Sequence, residues 1–114
     1  SKVLILSPLH TQPEKSIEQQ LNLLLQQGFI RVQHNDEILK IDELLQKGFS
    51  EDDSFFIVID RIVVKKDDED LDARLADSVQ TAFYEGGGVS VIEVLNKEGK
   101  NKKVEFSNKF ELDG

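Results

Sequence analysis

The stretch SFFIVIDRIVVKK, Ser54–Lys66, is the most apolar run in the chain, yet it contains an adjacent acid and base, Asp60 and Arg61. Branched and aromatic residues dominate it, which predicts a long β-strand. Successive side chains of a strand point to opposite faces, so Asp60 lies on one face and Arg61 on the other. A buried charge without a partner costs several kcal/mol, which is comparable to the whole stability of a small domain. Each of these two charges therefore needs a partner or a reason to face water.

Upstream of this strand, the pattern predicts one helix and three shorter strands. KVLILSP is an apolar strand that ends at a proline, and PEKSIEQQLNLLLQQG has apolar residues at helical spacing with Gly28 placed to end the helix. FIRVQH and EILKI are predicted strands joined by a turn at Asn35 and Asp36. DELLQKGFSEDD is predicted as a polar connection with at most one helical turn.

Downstream, DDEDLDARLADSVQTAFYEGGG predicts a second amphipathic helix, with one apolar stripe and three glycines at its end. The stripe consists of Leu71, Leu75, Val79 and Phe83. VSVIEVL and KVEFS then predict a hairpin. The element order β-α-β-β-β-α-β-β predicts an α+β fold, in which two helices pack on a mainly antiparallel sheet of five to six strands.

Composition limits the possible functions. The chain has 114 residues, enough for a single domain at 1–114, and a net charge of −8 with no cysteine. The negative charge argues against nonspecific binding to nucleic acid or to an anionic membrane. No apolar run approaches the roughly 20 residues of a membrane span. Absence of cysteine fits a cytoplasmic location, and the ends at Ser1 and Gly114 suggest a piece of a longer protein.

The sequence contains no convincing catalytic, cofactor or metal site. The acids at Asp67–Asp72 are better explained as the start of a helix, where they balance the helix dipole, than as a magnesium site. The Gly86–Gly88 run follows a helix, whereas phosphate loops precede one. His10 and His34 lack zinc or triad spacing, and His34 is predicted to be a surface residue. A weaker hypothesis is an acid-dependent hydrolase that uses Asp60 and the acids at 67–72.

Two arginines remain as candidate partner-binding residues, Arg31 in FIRVQH and Arg61 in the long strand. If these strands are neighbours, two guanidinium groups could stand on one face of an otherwise acidic domain. One interpretation is structural, with each arginine paired to a nearby carboxylate. The other is a docking surface, because arginine is enriched at interfaces and binds carboxylates with two hydrogen bonds. The residues alone favour the structural interpretation.

Five ordered blocks carry a resemblance to a known family: GFIRVQHNDEI, IVIDRIVVK, ARLADSVQTAF, GGGVSVIEV and EFSNKF. Together they resemble the segment inserted in the first ATPase module of the bacterial excinuclease family UvrA. The resemblance implies a domain that docks the excinuclease component UvrB, within a dimeric ABC-type ATPase that recognises damaged DNA in nucleotide excision repair. It also implies that Arg31 and Arg61 contact acidic residues of UvrB. Asp60, on the opposite face of its strand, would then be held by a base or by backbone donors within the domain.

The resemblance has limits that bear on chemistry. The chain has no Gly-x-x-x-x-Gly-Lys-[Ser/Thr] loop, so the ATP and zinc of the parent family would bind outside it, and we expect no enzyme activity from this segment. Glu111–Gly114 stands where many members have a Cys-Pro-x-Cys zinc module, and LHTQPEK replaces a basic, glycine-containing stretch. Arg74 and Asp77 match family positions and are predicted to pair within the domain or to lie on the helix surface. The alternative from another class is a stand-alone acidic regulatory or ligand-binding domain.

Overall fold

The computed structural model describes residues 2–96 and 98–108, which form six strands and three helices. In chain order the elements are β1 (Lys2–Pro8), α1 (Ile17–Gln26), β2 (Arg31–His34), β3 (Glu37–Lys40), α2 (Ile41–Lys47), β4 (Phe55–Val63), α3 (Leu71–Glu85), β5 (Val89–Leu95) and β6 (Lys102–Ser107). Within the described ranges, no helix combines the length and the apolar character needed to cross a membrane. The predicted departure at Glu111–Gly114 lies outside these residues.

One six-stranded sheet has the order β3-β2-β4-β1-β5-β6. The pairs β2–β3, β2–β4, β1–β5 and β5–β6 are antiparallel. This confirms the predicted α+β class with a mainly antiparallel sheet. The chain divides into two compact units, one formed by Ser1–Ser7 with Ile59–Gly114 and the other by Pro8–Val58. The expectation of a single domain at 1–114 stays a prediction.

The number of helices was predicted wrongly, since the described residues form three helices rather than two. Segment 42–53 was expected to be a polar connection, but α2 occupies Ile41–Lys47. Its Ile41 and Leu44 are both fully buried. Two apolar anchors at i and i+3 are enough to hold two turns of helix against a core, although the segment is too short and polar for its periodicity to stand out.

In the unit Pro8–Val58, α1 begins at a complete capping box. The Ser16 hydroxyl accepts a hydrogen bond from the Gln19 backbone N–H, and the Gln19 side chain accepts one from the Ser16 N–H. The helix ends at the C-cap Gln27, and Gly28 follows with a φ of 97°, as its predicted capping role requires. The core of this unit is apolar and well buried, with Ile17, Leu21, Leu24, Val32, Ile41, Leu44, Phe55 and Ile57.

In the unit Ser1–Ser7 with Ile59–Gly114, α3 packs on the sheet. Its Leu71, Leu75 and Val79 contact a buried cluster, as the predicted stripe requires. Ala82 of the same helix belongs to this cluster and is fully buried. Phe83, the fourth residue of the predicted stripe, is only half-buried. The Ser7 hydroxyl donates a hydrogen bond to the carbonyl of Ala82, which brings this turn of the helix close to β1.

Candidate docking site

Asp60 is held by the helix α3 and by its own strand. Its two carboxylate oxygens accept hydrogen bonds from Arg74 Nε at 3.1 Å and Nη2 at 2.8 Å, which forms a two-pronged ion pair. The Ser78 hydroxyl donates to the same carboxylate at 2.6 Å, and the Arg61 backbone N–H donates at 2.8 Å. The prediction that a base or backbone donors within the domain hold Asp60 is confirmed. The predicted intradomain pairing of Arg74 is confirmed as well.

The electrostatics of Asp60 follow from this arrangement. Partial burial raises the pKa of Asp60, but hydrogen bonds from Arg74, Ser78 and the Arg61 N–H outweigh it and leave the pKa below its usual range. Hydrogen bonding to Asp60, together with its negative charge, raises the pKa of Arg74. Asp60 is therefore ionised at neutral pH and has no proton to donate, which weighs against the acid-dependent hydrolase hypothesis.

The backbone of Arg61, but not its side chain, makes hydrogen bonds to the cluster formed by Asp60, Arg74 and Ser78. The Arg61 carbonyl accepts a hydrogen bond from Arg74 Nη2 at 3.2 Å, while its side chain is exposed. Among the described residues, the Arg61 guanidinium has no hydrogen bond or ion pair. Val63 and Val64 follow it and are 46% and 37% exposed. The structure therefore presents an unpaired cation beside exposed branched side chains, on a strand segment that Asp60 and Arg74 fix in place.

Arg31 begins β2, and its surroundings are set by a tight turn. Asn35 and Asp36 have φ values of 47° and 69°, which is the left-handed conformation that a two-residue hairpin turn of type I′ requires at both positions. This confirms the predicted turn and fixes the register, in which Arg31 lies directly opposite Lys40. Both side chains are exposed, and within the described part of the chain neither takes part in an ion pair or hydrogen bond through its side chain.

The two predicted partner-binding residues thus share the same local character. Each is an exposed arginine without a carboxylate partner among residues 2–96 and 98–108. Their strands, β2 and β4, are hydrogen-bonded neighbours in the sheet. Arg31 belongs to one compact unit and Arg61 to the other. That the two arginines act together on one docking surface stays a prediction.

His34 was predicted to be a surface residue, and this is wrong. It is only 7% exposed, and its ring stacks on Phe55 with 5.2 Å between the centroids. His34 Nε2 donates to Asp53 Oδ2 at 2.8 Å, and this hydrogen bond, with a second from the Ser50 N–H, lowers the pKa of Asp53. No signal in the sequence pointed to this pair, because its members come from separate segments. The Ser54 N–H, next to Asp53, donates a hydrogen bond to Asn35 Oδ1 of the turn. The pair supports the β2–β3 turn.

The remaining candidates do not form a site. In the described ranges, no group of three or more histidine, cysteine or acidic side chains is placed to hold a metal ion. Gly86 and Gly88 donate backbone hydrogen bonds to carbonyls of the last turn of α3, as expected for a helix cap. Asp77 is exposed on the surface of α3, one of its two predicted environments. The absence of a cofactor and of a metal stays an expectation.

Comparison with known proteins agrees with the resemblance seen in the sequence. The family model described as "UvrA interaction domain" matches residues 1–96. Among curated relatives, the UvrABC system protein A of Halalkalibacterium halodurans is 34% identical over 98 residues, or 86% of this chain and 10% of the relative. Its counterpart in Staphylococcus epidermidis is 30% identical over the same share of each chain. The Rickettsia prowazekii protein is 27% identical over 96% of this chain and 12% of the relative.

The length of the match is as informative as its identity. The chain spans about a tenth of the length of these relatives, and the family description names one domain of them rather than the whole protein. Because the match covers the strands and helices that carry Arg31, Asp60, Arg61 and Arg74, these side chains belong to the shared domain. The chain belongs to the UvrA interaction domain family.

Proposed function

We propose that this domain docks the excinuclease component UvrB through Arg31 and Arg61, each of which binds a carboxylate of the partner. The curated relatives are named as protein A of a UvrABC system, which supports a protein partner within that system. On this proposal the domain is a cytoplasmic protein-binding module of nucleotide excision repair and does no chemistry itself. The parent would be a dimeric ABC-type ATPase that binds damaged DNA, with ATP and zinc held outside this chain.

The observation that carries the proposal is the unpaired state of both arginines in a strongly acidic chain. The sequence has 22 acidic residues against 14 lysines and arginines. Other bases of the described residues do pair with carboxylates, as His34 does with Asp53 and Arg74 does with Asp60. An arginine that served only the fold would find a carboxylate easily in such surroundings. Arg31 and Arg61 instead keep exposed guanidinium groups, which suit two-pronged binding of a partner's carboxylate.

Exposed apolar side chains beside the arginines support the same function. Val63 lies two residues after Arg61 on β4 and is 46% exposed, and Ile30 directly precedes Arg31 and is 54% exposed. Protein-binding surfaces typically place an arginine next to apolar area that becomes buried on binding. The alternative of a stand-alone regulatory or ligand-binding domain has no comparable support, because membership of the interaction-domain family already connects the chain to a larger protein.

The test is calorimetric titration of purified UvrB with the domain and with Arg31→Glu and Arg61→Glu. Truncating one partner of a buried interfacial ion pair costs about 2–5 kcal/mol, so each reversal should weaken binding at least about thirtyfold. Lys15→Glu and Lys100→Glu are matched controls, since each makes the same charge change at an exposed lysine of the respective unit. The controls should bind nearly as the wild type does.

Thermal melts of the same variants separate docking from folding. Neither arginine side chain has a partner within the described residues, so reversal should not lower the melting temperature. Loss of binding with retained stability supports docking. Normal binding by both reversals, or loss of binding only in variants that unfold, contradicts a docking role for these arginines.

A further inference from the structure

Lys40 occupies a position where its charge is unfavourable in the free domain for two separate reasons. It lies directly opposite Arg31 in the β2–β3 register, so two exposed cations face each other across neighbouring strands. Like charges directly opposite in an antiparallel pair destabilise the sheet. Within residues 2–96 and 98–108, no carboxylate pairs with either of them.

The second reason is the helix that begins at Lys40. Lys40 is the N-cap of α2, and its side chain makes no capping hydrogen bond. N-cap positions favour serine, threonine, aspartate or asparagine, whose side chains accept hydrogen bonds from free backbone N–H groups. The helix dipole also places partial positive charge at this end, which disfavours a cation. An aspartate here would cap the helix and neutralise Arg31, yet the sequence has a lysine.

A residue that weakens the free domain in two ways is best explained by a role outside it, because local rules are typically broken at functional sites. The neighbouring side chain on the same face of β3 is Ile38, which is 40% exposed. Arg31, Lys40 and Ile38 therefore combine two unpaired positive charges with exposed apolar surface.

We infer that Arg31, Lys40 and Ile38 form one docking surface for an acidic segment of the partner, in which a carboxylate binds between the two cations and an apolar side chain covers Ile38. This inference rests on the proposed function, and it assigns Lys40 and Ile38 as further determinants of the Arg31 contact. Charge complementarity identifies the occupant, because a carboxylate between the cations removes their repulsion.

A protein carboxylate fits this surface better than a DNA phosphate. The chain has a net charge of −8, which repels a polyanion such as duplex DNA at long range. Ile38 also contributes apolar area, which a phosphate backbone would leave unburied. A short acidic peptide segment satisfies both features at once.

Lys40→Asp is the decisive variant, because the inference predicts opposite effects on folding and on binding. The new carboxylate would cap α2 and pair with Arg31, so the melting temperature should rise by on the order of 4 °C. Binding to purified UvrB should weaken at least about tenfold, because an attractive charge becomes a repulsive one. Ile38→Ala should weaken binding without a comparable rise in melting temperature.

A double-mutant cycle shows whether the stability gain involves Arg31. In an Arg31→Ala background, Lys40→Asp should raise the melting temperature less than it does alone, because the cross-strand pair can no longer form. Lys15→Asp, at an exposed lysine of the same unit, is the charge-matched binding control and should leave the affinity nearly unchanged.

The outcomes separate this inference from the proposed function. If the wild type binds UvrB and Arg31→Glu weakens it while Lys40→Asp binds normally, the inference is wrong and the proposed function stands. If the wild type does not bind UvrB, the proposed function fails and the inference fails with it. If Lys40→Asp abolishes salt-sensitive binding of a duplex oligonucleotide but not of UvrB, the surface binds phosphate and the inference is also wrong.

Discussion

Replacement of Asp60 by alanine tests whether the β4–α3 cluster stabilises the unit that carries Arg61. The carboxylate accepts four hydrogen bonds, two from Arg74 and one each from Ser78 and the Arg61 N–H. The Arg74 side chain is 56% exposed, so its ion pair contributes only about 0–1 kcal/mol. The hydrogen bond from the half-buried Ser78 to a charged acceptor contributes about 1.5–3 kcal/mol.

The two contributions together predict that Asp60→Ala lowers the free energy of unfolding by about 1.5–4 kcal/mol. Arg74→Ala removes the exposed ion pair and the exposed hydrogen bond to the Arg61 carbonyl, so it should destabilise the domain less than Asp60→Ala does. Asp77→Ala is the matched control, because Asp77 is an exposed acid on the same helix, and it should stay within about 0.5 kcal/mol of the wild type.

Urea unfolding followed by far-UV circular dichroism at pH 7 measures all three variants on one scale. The expected order of destabilisation is Asp60→Ala first, Arg74→Ala second and Asp77→Ala last. If Asp60→Ala is as stable as Asp77→Ala, the cluster is not a stabilising element. The proposal that it fixes the backbone of Arg61 would then lose its physical basis.

Three further predictions concern the whole chain. Asp53 and Asp60 both have folded-state pKa values below their usual range, so their contribution to stability is present at neutral pH and should be lost as the pH falls from about 4 through those values. Urea unfolding at pH 7, 4.5 and 3 measures this loss of stability, and Asp60→Asn should reduce it. The chain should unfold in one transition, so amide NMR signals of Val32 and Val91, one in each compact unit, should disappear at the same urea concentration; different midpoints would contradict a single cooperative domain. With a net charge of −8, the domain should bind duplex DNA no more tightly than roughly 10⁻⁴ M at physiological salt, and tighter, salt-sensitive binding by fluorescence anisotropy would reveal a local basic site.

Sequence reasoning worked best where a pattern extended over a whole element. The run at Ser54–Lys66 predicted β4, and the cost of a buried charge predicted a partner for Asp60, which Arg74 and Ser78 supply. Two consecutive residues suited to positive φ, Asn35 and Asp36, predicted the hairpin turn. These features depend on the types of neighbouring residues, which can be read directly from a single sequence.

The sequence was a poorer guide where tertiary contacts decide the outcome. The helix α2 was not predicted because a seven-residue segment with two apolar residues has no clear helical pattern in the sequence. Its Ile41 and Leu44 stabilise the helix only through their burial in the folded core. The pairing of His34 with Asp53 joins residues from separate segments, and no spacing rule connects them. The juxtaposition of Lys40 with Arg31 depends on the register of one hairpin, which a shift of one residue would abolish.

The most direct test of docking by charge-assisted contacts is calorimetric titration of purified UvrB with the wild-type domain at two salt concentrations. We expect saturable binding that weakens as salt rises, because exposed charges that attract a partner are screened by ions. Absence of binding at low salt would contradict docking of UvrB by this domain. Binding that is indifferent to salt would contradict the role of Arg31 and Arg61 as its charged contacts.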